Sequence, residues 1–254
     1  MNLVADLSIE YLLLAMVVML FAGLIHGTLG VGFPMVATPL LALVLDVRIA
    51  ILITLLPTAV VNLASVLGVS DWRSVLSTYW RIPLFALIGG FFGSWLIDQY
   101  DPTPFQLLLA LLVFLYLGCS RFKPEAFDFL SRNTNVVMPL VGLVAGFASG
   151  TTNVMLPILI IYSLSLTLSK DKMVQLFNTC FLAGKLSQLI VFSLSGTIDA
   201  GFLLATVPFA LAAFLALLGG KKIRDRIPTE LFTKIVRVML FFLGVLLIAQ
   251  VWLQ

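Results

Sequence analysis

The sequence predicts an all-α integral membrane protein, and three observations support this fold class. Hydrophobic residues make up 61% of the 254 residues and charged residues only 11%. A soluble domain carries roughly 25% charged residues, so this chain lacks the polar surface that covers a globule in water. The apolar runs are long and unbroken, whereas the strands of a membrane barrel alternate in polarity over about 10 residues. Helices in a lipid bilayer fit best, because lipid-facing surfaces need no charge.

Ten apolar segments divide the chain, and most approach the ~20 residues that a membrane-spanning helix needs. Segments 34–45 and 154–168 are short, and each follows a stretch rich in Gly and Thr and begins near a proline, Pro34 or Pro157. Short, interrupted segments favour half-helices or re-entrant hairpins over simple spans. The ten segments are residues 9–29, 34–45, 49–69, 79–97, 104–120, 136–150, 154–168, 173–195, 200–219 and 229–253.

Thirteen of the lysine and arginine residues lie in or beside alternate connections between these segments. Of the 15 basic residues, the opposite connections and both termini contain only Arg48, and Lys185 lies inside a segment. The cytoplasmic loops of membrane proteins are enriched in Lys and Arg. The distribution therefore predicts cytoplasmic basic loops and places both termini on the extracytoplasmic side.

The two halves of the chain resemble each other. The motif Gly-x3-Gly-Thr-x5-Pro at 23–34 recurs at 146–157, 123 residues later. Five segments per half is an odd number, so the second half is expected to be inverted in the membrane. This predicts a first membrane repeat at 1–120, a cytoplasmic linker at 121–135 and a second repeat at 136–254. Many secondary transporters have such inverted repeats, with the binding site where paired interruptions meet. Chance recurrence of Gly and Pro is the alternative.

The two interruptions supply candidate binding groups. Glycines at 27, 30 and 32 are expected to let the backbone leave helical angles, and Pro34 suits the first turn of a new helix. A helix start directs N–H donors and the positive end of its dipole into the gap, so two facing starts predict an anion site. Close helix packing through small residues is the alternative for the glycines. The candidates are His26, Gly27, Thr28, Gly30 and Gly32 in the first interruption, and Ser149, Gly150, Thr151, Thr152 and Asn153 in the second.

Lys185 indicates the sign of the ligand. It lies roughly 18 Å from the start of its segment at 1.5 Å per residue, too deep to reach an interface easily. No Asp or Glu lies in the middle of a segment, so Lys185 is expected either to lose its proton or to pair with an anion, and a transported anion is the counter-ion we infer. Asn178 and Gln188 share its helix face, and Asn62 is its equivalent in the first repeat. The structural alternatives are that Lys185 faces a lipid headgroup and that His26 only packs.

The full motif Gly-x3-Gly-x2-Gly-x-Gly-x-Pro at 23–34, repeated in weaker form at 146–157, resembles the sulfite exporter TauE/SafE family of bacterial membrane permeases. The likeness covers nearly the whole chain, including the two-repeat plan and the length. It implies a bacterial inner-membrane protein that transports a small, mostly sulfur-containing anion. The family's second motif is usually glycine-rich, whereas Thr151, Thr152 and Asn153 stand here in place of some glycines. This departure leaves the exact substrate open.

The combined prediction is a secondary transporter that moves a small anion, sulfite or an organosulfonate, by alternating access. An anion channel with the same site is the alternative. An enzyme is not expected, because one His, two isolated Cys and no mid-segment carboxylate provide neither a nucleophile–base pair nor a metal cluster. The expected partners are the anion and the lipid bilayer, with no cofactor, metal or nucleic acid. Direction, coupling ion and homo-oligomer formation stay open.

Overall fold

A computed structural model describes residues 7–68, 72–119, 134–166, 168–224 and 229–253, which contain eleven helices and no strand. In chain order the helices are α1 (Ile9–Leu29), α2 (Phe33–Ala42), α3 (Val47–Leu67), α4 (Trp72–Tyr79), α5 (Arg81–Gln99), α6 (Thr103–Cys119), α7 (Thr134–Thr152), α8 (Leu156–Leu164), α9 (Lys170–Leu194), α10 (Ala200–Ile223) and α11 (Thr229–Leu253).

Six of these helices are long and apolar enough to cross a membrane, namely α1, α3, α5, α7, α9 and α10. Helices α6 and α11 contain shorter apolar stretches, Thr103–Gly118 and Val236–Trp252. Large apolar side chains also cover the outside of the bundle, such as Leu13, Leu111 and Phe242, which are 61%, 62% and 60% exposed. Contiguous apolar surface of this kind suits lipid. The prediction of a multi-pass helical membrane protein is confirmed.

Each predicted apolar segment corresponds to one helix, with ends that differ by a few residues. The two short segments are α2 and α8, of 10 and 9 residues. At 1.5 Å per residue each is about 15 Å long or less, roughly half of the hydrocarbon thickness. Neither helix is therefore long enough to cross a bilayer by itself.

The structure adds one helix that the apolar segments do not predict. Helix α4 lies between α3 and α5 and has 8 residues, of which the apolar ones recur at intervals of one or three. The fourth segment, predicted at 79–97, begins at Arg81 instead, directly after this helix. Most of the predicted linker at 121–135 lies outside the described residues, and so do three of its basic residues.

The first interruption is a break of three residues between α1 and α2. Gly30 and Gly32 have φ angles of 85° and 108°, a region that favours glycine because it has no Cβ. The N–H of Gly30 donates to the carbonyl of His26 at 2.7 Å and closes α1. Pro34 lies in the first turn of α2, as predicted. The expectation for Gly27 is wrong, because α1 continues past it without a break.

The second interruption has different chemistry. Helix α7 continues through Gly150 and Thr151, and the break begins only at Asn153. Asn153 has a φ of 65° and is the one non-glycine residue with a positive φ among those described. Asparagine tolerates this left-handed conformation better than most side chains. One asparagine thus takes the place that glycines hold in the first break.

The bundle is assembled by close helix pairs. Helix α1 packs against α10, and α5 packs against α7. A Cβ atom added at Gly23 would overlap the carbonyl of Ala213, and one added at Gly146 would overlap the carbonyl of Ala86. Small residues allow this backbone approach, as in many membrane helix pairs. Helices α3 and α9 contact each other and are the most buried spans, with 61% of each apolar window inside the protein.

Candidate functional site

Helix α9 presents a row of buried polar side chains towards the protein interior. Gln175, Asn178, Lys185 and Gln188 are each at most 2% exposed. Their helix packs against α3, α5 and α7. The prediction that Asn178, Lys185 and Gln188 face protein and not lipid is confirmed by their burial.

The ammonium group of Lys185 is held by neutral amides. It donates to the side-chain oxygen of Asn153 and to Oε1 of Gln188, the latter at 2.6 Å. The Gln188 amide donates to the Asn153 oxygen and to the carbonyl of Ser149, both at 3.0 Å. No carboxylate among the described residues forms a hydrogen bond or ion pair with Lys185. An ammonium charge at this position would be solvated by dipoles but not neutralised.

Asn153 connects this cluster to the first half of the chain. Its Nδ2 donates to Oγ1 of Thr38 at 3.0 Å and to Oγ1 of Thr54 at 2.8 Å. Thr38 lies on α2 and Thr54 on α3, and all three side chains are 0% exposed. One side chain in a helix break thus joins α2, α3 and α9. Neither threonine was among the residues that the sequence predicts for the site.

His26 forms a second cluster at the first interruption. Its Nε2 lies 3.0 Å from Oγ of Ser65, and the Ser65 hydroxyl donates to the carbonyl of Val61 at 2.9 Å. The backbone N–H of Phe33 donates to Nδ1 at 3.3 Å. These partners assign a neutral imidazole with its proton on Nε2. Both ring nitrogens of His26 therefore have hydrogen-bond partners inside the protein, as the packing alternative predicts. His26 also lines a cavity that is described below.

The polar residues of the two interruptions are divided between these two clusters. Asn178 donates to the carbonyl of Gly30 at 2.9 Å and belongs to the His26 cluster, whereas Lys185 and Gln188 belong to the Asn153 cluster. The starts of α2 and α8 do approach each other, since Gly32 and Leu156 line a common cavity. That cavity measures about 20 Å³ and its other lining side chains are mostly apolar. Binding between the two helix starts stays a prediction.

A polar seam runs along α3 and α9 and touches both clusters. On α3 its residues recur at intervals of three or four, which places them on one helix face. Several buried atoms in the seam have no hydrogen-bond partner, including Oγ1 of Thr58 and the side-chain oxygens of Asn62, Gln175 and Asn178. Unpaired buried polar atoms are costly and call for water or a ligand. The seam consists of Thr54, Thr58, Asn62, Ser65, Gln175, Asn178, Lys185 and Gln188.

The threonines next to the breaks are already engaged. The hydroxyls of Thr28, Thr151 and Thr152 donate to carbonyls one turn earlier in their helices at 2.7 to 2.9 Å. A hydroxyl has one proton, so donation to an anion requires that these bonds break. Gly27 and Gly150 each lie against the backbone of a neighbouring helix, where a Cβ would overlap it. Both glycines therefore allow close helix packing, which was the alternative to a binding role.

An open cavity of about 470 Å³ lies beside the His26 cluster. Lys221 and Arg224, at the end of α10, supply its positive charge. Sequence reasoning used both residues only to orient the chain and did not assign them to a site. We call this cavity the basic pocket; it is lined by His26, Gly27, Gly30, Ser65, Gly68, Val174, Lys221 and Arg224.

A family model described as Sulfite exporter TauE/SafE matches residues 15–247 of the chain. This range contains both helix breaks, the polar seam and every residue of the basic pocket. No curated protein and no solved structure has a significant match to the chain.

Proposed function

This chain belongs to the sulfite exporter TauE/SafE family, and from that premise we propose that it is a secondary transporter for a small anion, sulfite or an organosulfonate. The anion moves along the polar seam by alternating access. Lys185 carries the proposal, because its buried ammonium group has only neutral amide partners among the described residues.

The energetics of Lys185 favour an anionic ligand. Removing a charge from water costs several kcal/mol even after a protein relaxes around it. Amide dipoles recover part of this cost, whereas an anion would neutralise the charge. Gln188 and Asn153 hold the ammonium group in one place, so an arriving anion meets a positioned cation. The unpaired oxygens of the seam can accept hydrogen bonds from the waters that accompany it.

The packing supports inverted repeats at 1–120 and 136–254. The contact of α1 with α10 is matched by that of α7 with α5, and α3 with α10 by α9 with α5. The hydrogen bond between His26 and Ser65 also has a counterpart between Ser149 and Gln188. Each member of the second pair lies 123 residues after its equivalent in the first, the offset of the sequence motif.

The two clusters suit opposite gates of such a transporter. The basic pocket leaves the His26 cluster open at one end, while the bonds of Asn153 to Thr38 and Thr54 join the helices around Lys185. We assign the basic end to the cytoplasm of a bacterial inner membrane, from the distribution of Lys and Arg. This conformation then faces the cytoplasm, and breaking the Asn153 bonds opens the other side.

Counter-flow in liposomes tests this function. Liposomes that carry the protein in their membrane and unlabelled sulfite inside should accumulate labelled sulfite from outside. The reason is that an alternating carrier exchanges one anion for another. A channel gives flux without this trans-stimulation, and a protein that transports no anion gives no saturable flux. The Lys185→Gln variant should lose exchange, whereas Lys222→Gln, which removes an exposed charge, should keep it. Wild-type exchange in Lys185→Gln would contradict the role of Lys185.

A further inference from the structure

We propose that the basic pocket is a second anion site, which captures a small hydrated oxyanion before it enters the seam. This inference rests on the proposed transport function and adds a step to it. The site differs from Lys185 in its residues, its exposure and its chemistry.

The lining of the pocket suits an anion. Lys221 lies in the last turn of α10 and Arg224 follows its last residue with a helical backbone, so these side chains, three residues apart, share one face. His26 and Ser65 add neutral polar groups, and Gly30 and Gly68 expose backbone. None of the described residues that line the pocket is acidic.

The size of the pocket indicates that the anion keeps its water. A water molecule takes up about 30 Å³ of the liquid, so a cavity of about 470 Å³ holds a small oxyanion together with many waters. Binding there is electrostatic and weakly selective for shape. Attraction of this kind raises the local anion concentration and weakens with salt, over a Debye length of about 10 Å at 0.1 M. Recognition of the bare anion is left to Lys185.

The pocket also leads to the seam. His26 and Ser65 line the pocket and are hydrogen-bonded to each other, and Ser65 is the last seam residue on α3. Asn178, a seam residue on α9, is bonded to Gly30 of the pocket. An anion held by Lys221 and Arg224 therefore lies at the entrance to the unpaired oxygens of the seam.

Lys221 also has a purely structural explanation, since a cation stabilises the C-terminal end of a helix. Lys222 lies in the same last turn of α10 and gives the matched control, because it does not line the pocket. If the charge acts only on the helix, the two lysines are equivalent. If the pocket captures anions, only Lys221 matters for transport.

The test compares Lys221→Gln, Arg224→Gln, their double variant and Lys222→Gln in sulfite exchange from the pocket side of liposomes. At low ionic strength the double variant should raise the KM roughly tenfold, with the maximal rate within about twofold. Salt should raise the KM of the wild type but leave that of the double variant nearly unchanged. Should the double variant fail to fold, each single variant is expected to show a smaller rise in KM.

The outcomes separate this inference from the function on which it rests. If the wild type exchanges sulfite but the pocket variants have the same KM and the same salt dependence as Lys222→Gln, the second site alone is overturned. Absence of anion exchange in the wild type overturns both. A reduced maximal rate with unchanged KM also contradicts capture, because it indicates a later step.

Discussion

The ammonium group of Lys185 donates a hydrogen bond to the side-chain oxygen of Asn153, a residue whose backbone is left-handed. The amide nitrogen of the same side chain donates to Thr38 and Thr54. The ammonium group has three N–H donors and uses two of them on Asn153 and Gln188, so an anion that takes more than one hydrogen bond from Lys185 displaces one of these oxygens. If it displaces the oxygen of Asn153, occupancy of the site weakens the contacts that join α2 and α3 to the second break.

Replacing Asn153 with Asp gives Lys185 a permanent counter-ion. The side chains are nearly isosteric, and the new carboxylate lies against the ammonium group, where a buried ion pair is strong. We expect Asn153→Asp to fold but to lose sulfite binding at Lys185, because the charge there is already neutralised. A thermal-shift titration measures this, since a ligand of the folded state raises the apparent stability. A wild-type shift in the variant would contradict the account.

Asn153→Gly should have the opposite effect on binding. Glycine adopts a positive φ without strain, and the variant removes the oxygen that competes for Lys185. We expect sulfite to bind at least as tightly as in the wild type, while exchange loses its coupling because the contacts to Thr38 and Thr54 are gone. Parallel titration and counter-flow separate the two effects. Loss of binding in this variant would count against competition.

Thr54→Val tests the network through stability. Valine has the shape of threonine but cannot accept the hydrogen bond from Asn153, so one buried N–H loses a partner. An unsatisfied buried donor costs about 1–3 kcal/mol, and the free energy of unfolding in detergent should fall by that amount.

Thr206→Val is the matched control for this change. Thr206 is also fully buried, but its hydroxyl donates only to the carbonyl of Leu203 in its own helix. Its replacement leaves no donor without a partner, so we expect a change below about 0.5 kcal/mol. Equal losses in the two variants would show that the Asn153 bond contributes nothing.

Gly146→Ala tests the close contact of α5 and α7. The added Cβ would overlap the carbonyl of Ala86, and forcing the helices apart should cost about 1–3 kcal/mol. The control is Gly118→Ala on α6, where no atom lies within 4 Å of the added Cβ. There alanine should be neutral or stabilise the helix by up to about 1 kcal/mol. Thermal unfolding of both variants measures these changes in stability. A Gly146→Ala variant that is as stable as the wild type would contradict the close packing of α5 and α7.

The helices and the buried lysine could be predicted because each depends on local sequence. An apolar run predicts a helix, and the absence of acidic residues from the middle of the segments leaves Lys185 without a nearby carboxylate. The same reasoning misses α4, since eight residues of mixed polarity give no apolar run. It also misassigns Gly27, because a glycine that packs against a helix and one that breaks a helix look alike in sequence.

Long-range partners were beyond the sequence patterns used. Thr38 and Thr54 meet Asn153 across about a hundred residues of chain, and uncharged threonines in apolar helices are ordinary. A signal did exist on α3, where Thr54, Thr58 and Asn62 recur every four residues. This is a helical spacing, like that of the polar stripe on α9. Lys221 and Arg224 could not be assigned to a pocket without knowing where α10 ends relative to α1.

Calorimetric titration of sulfite into wild-type protein, Lys185→Gln and Lys222→Gln tests the central claim most directly. Glutamine can keep hydrogen bonds to Asn153 and Gln188, and removing an unpaired buried charge also removes its desolvation cost, so all three proteins should unfold at similar temperatures. We expect tight, saturable binding to the wild type and to Lys222→Gln, and only weak, salt-sensitive binding at the basic pocket in Lys185→Gln. Binding of sulfite to folded Lys185→Gln with the wild-type affinity would contradict the account.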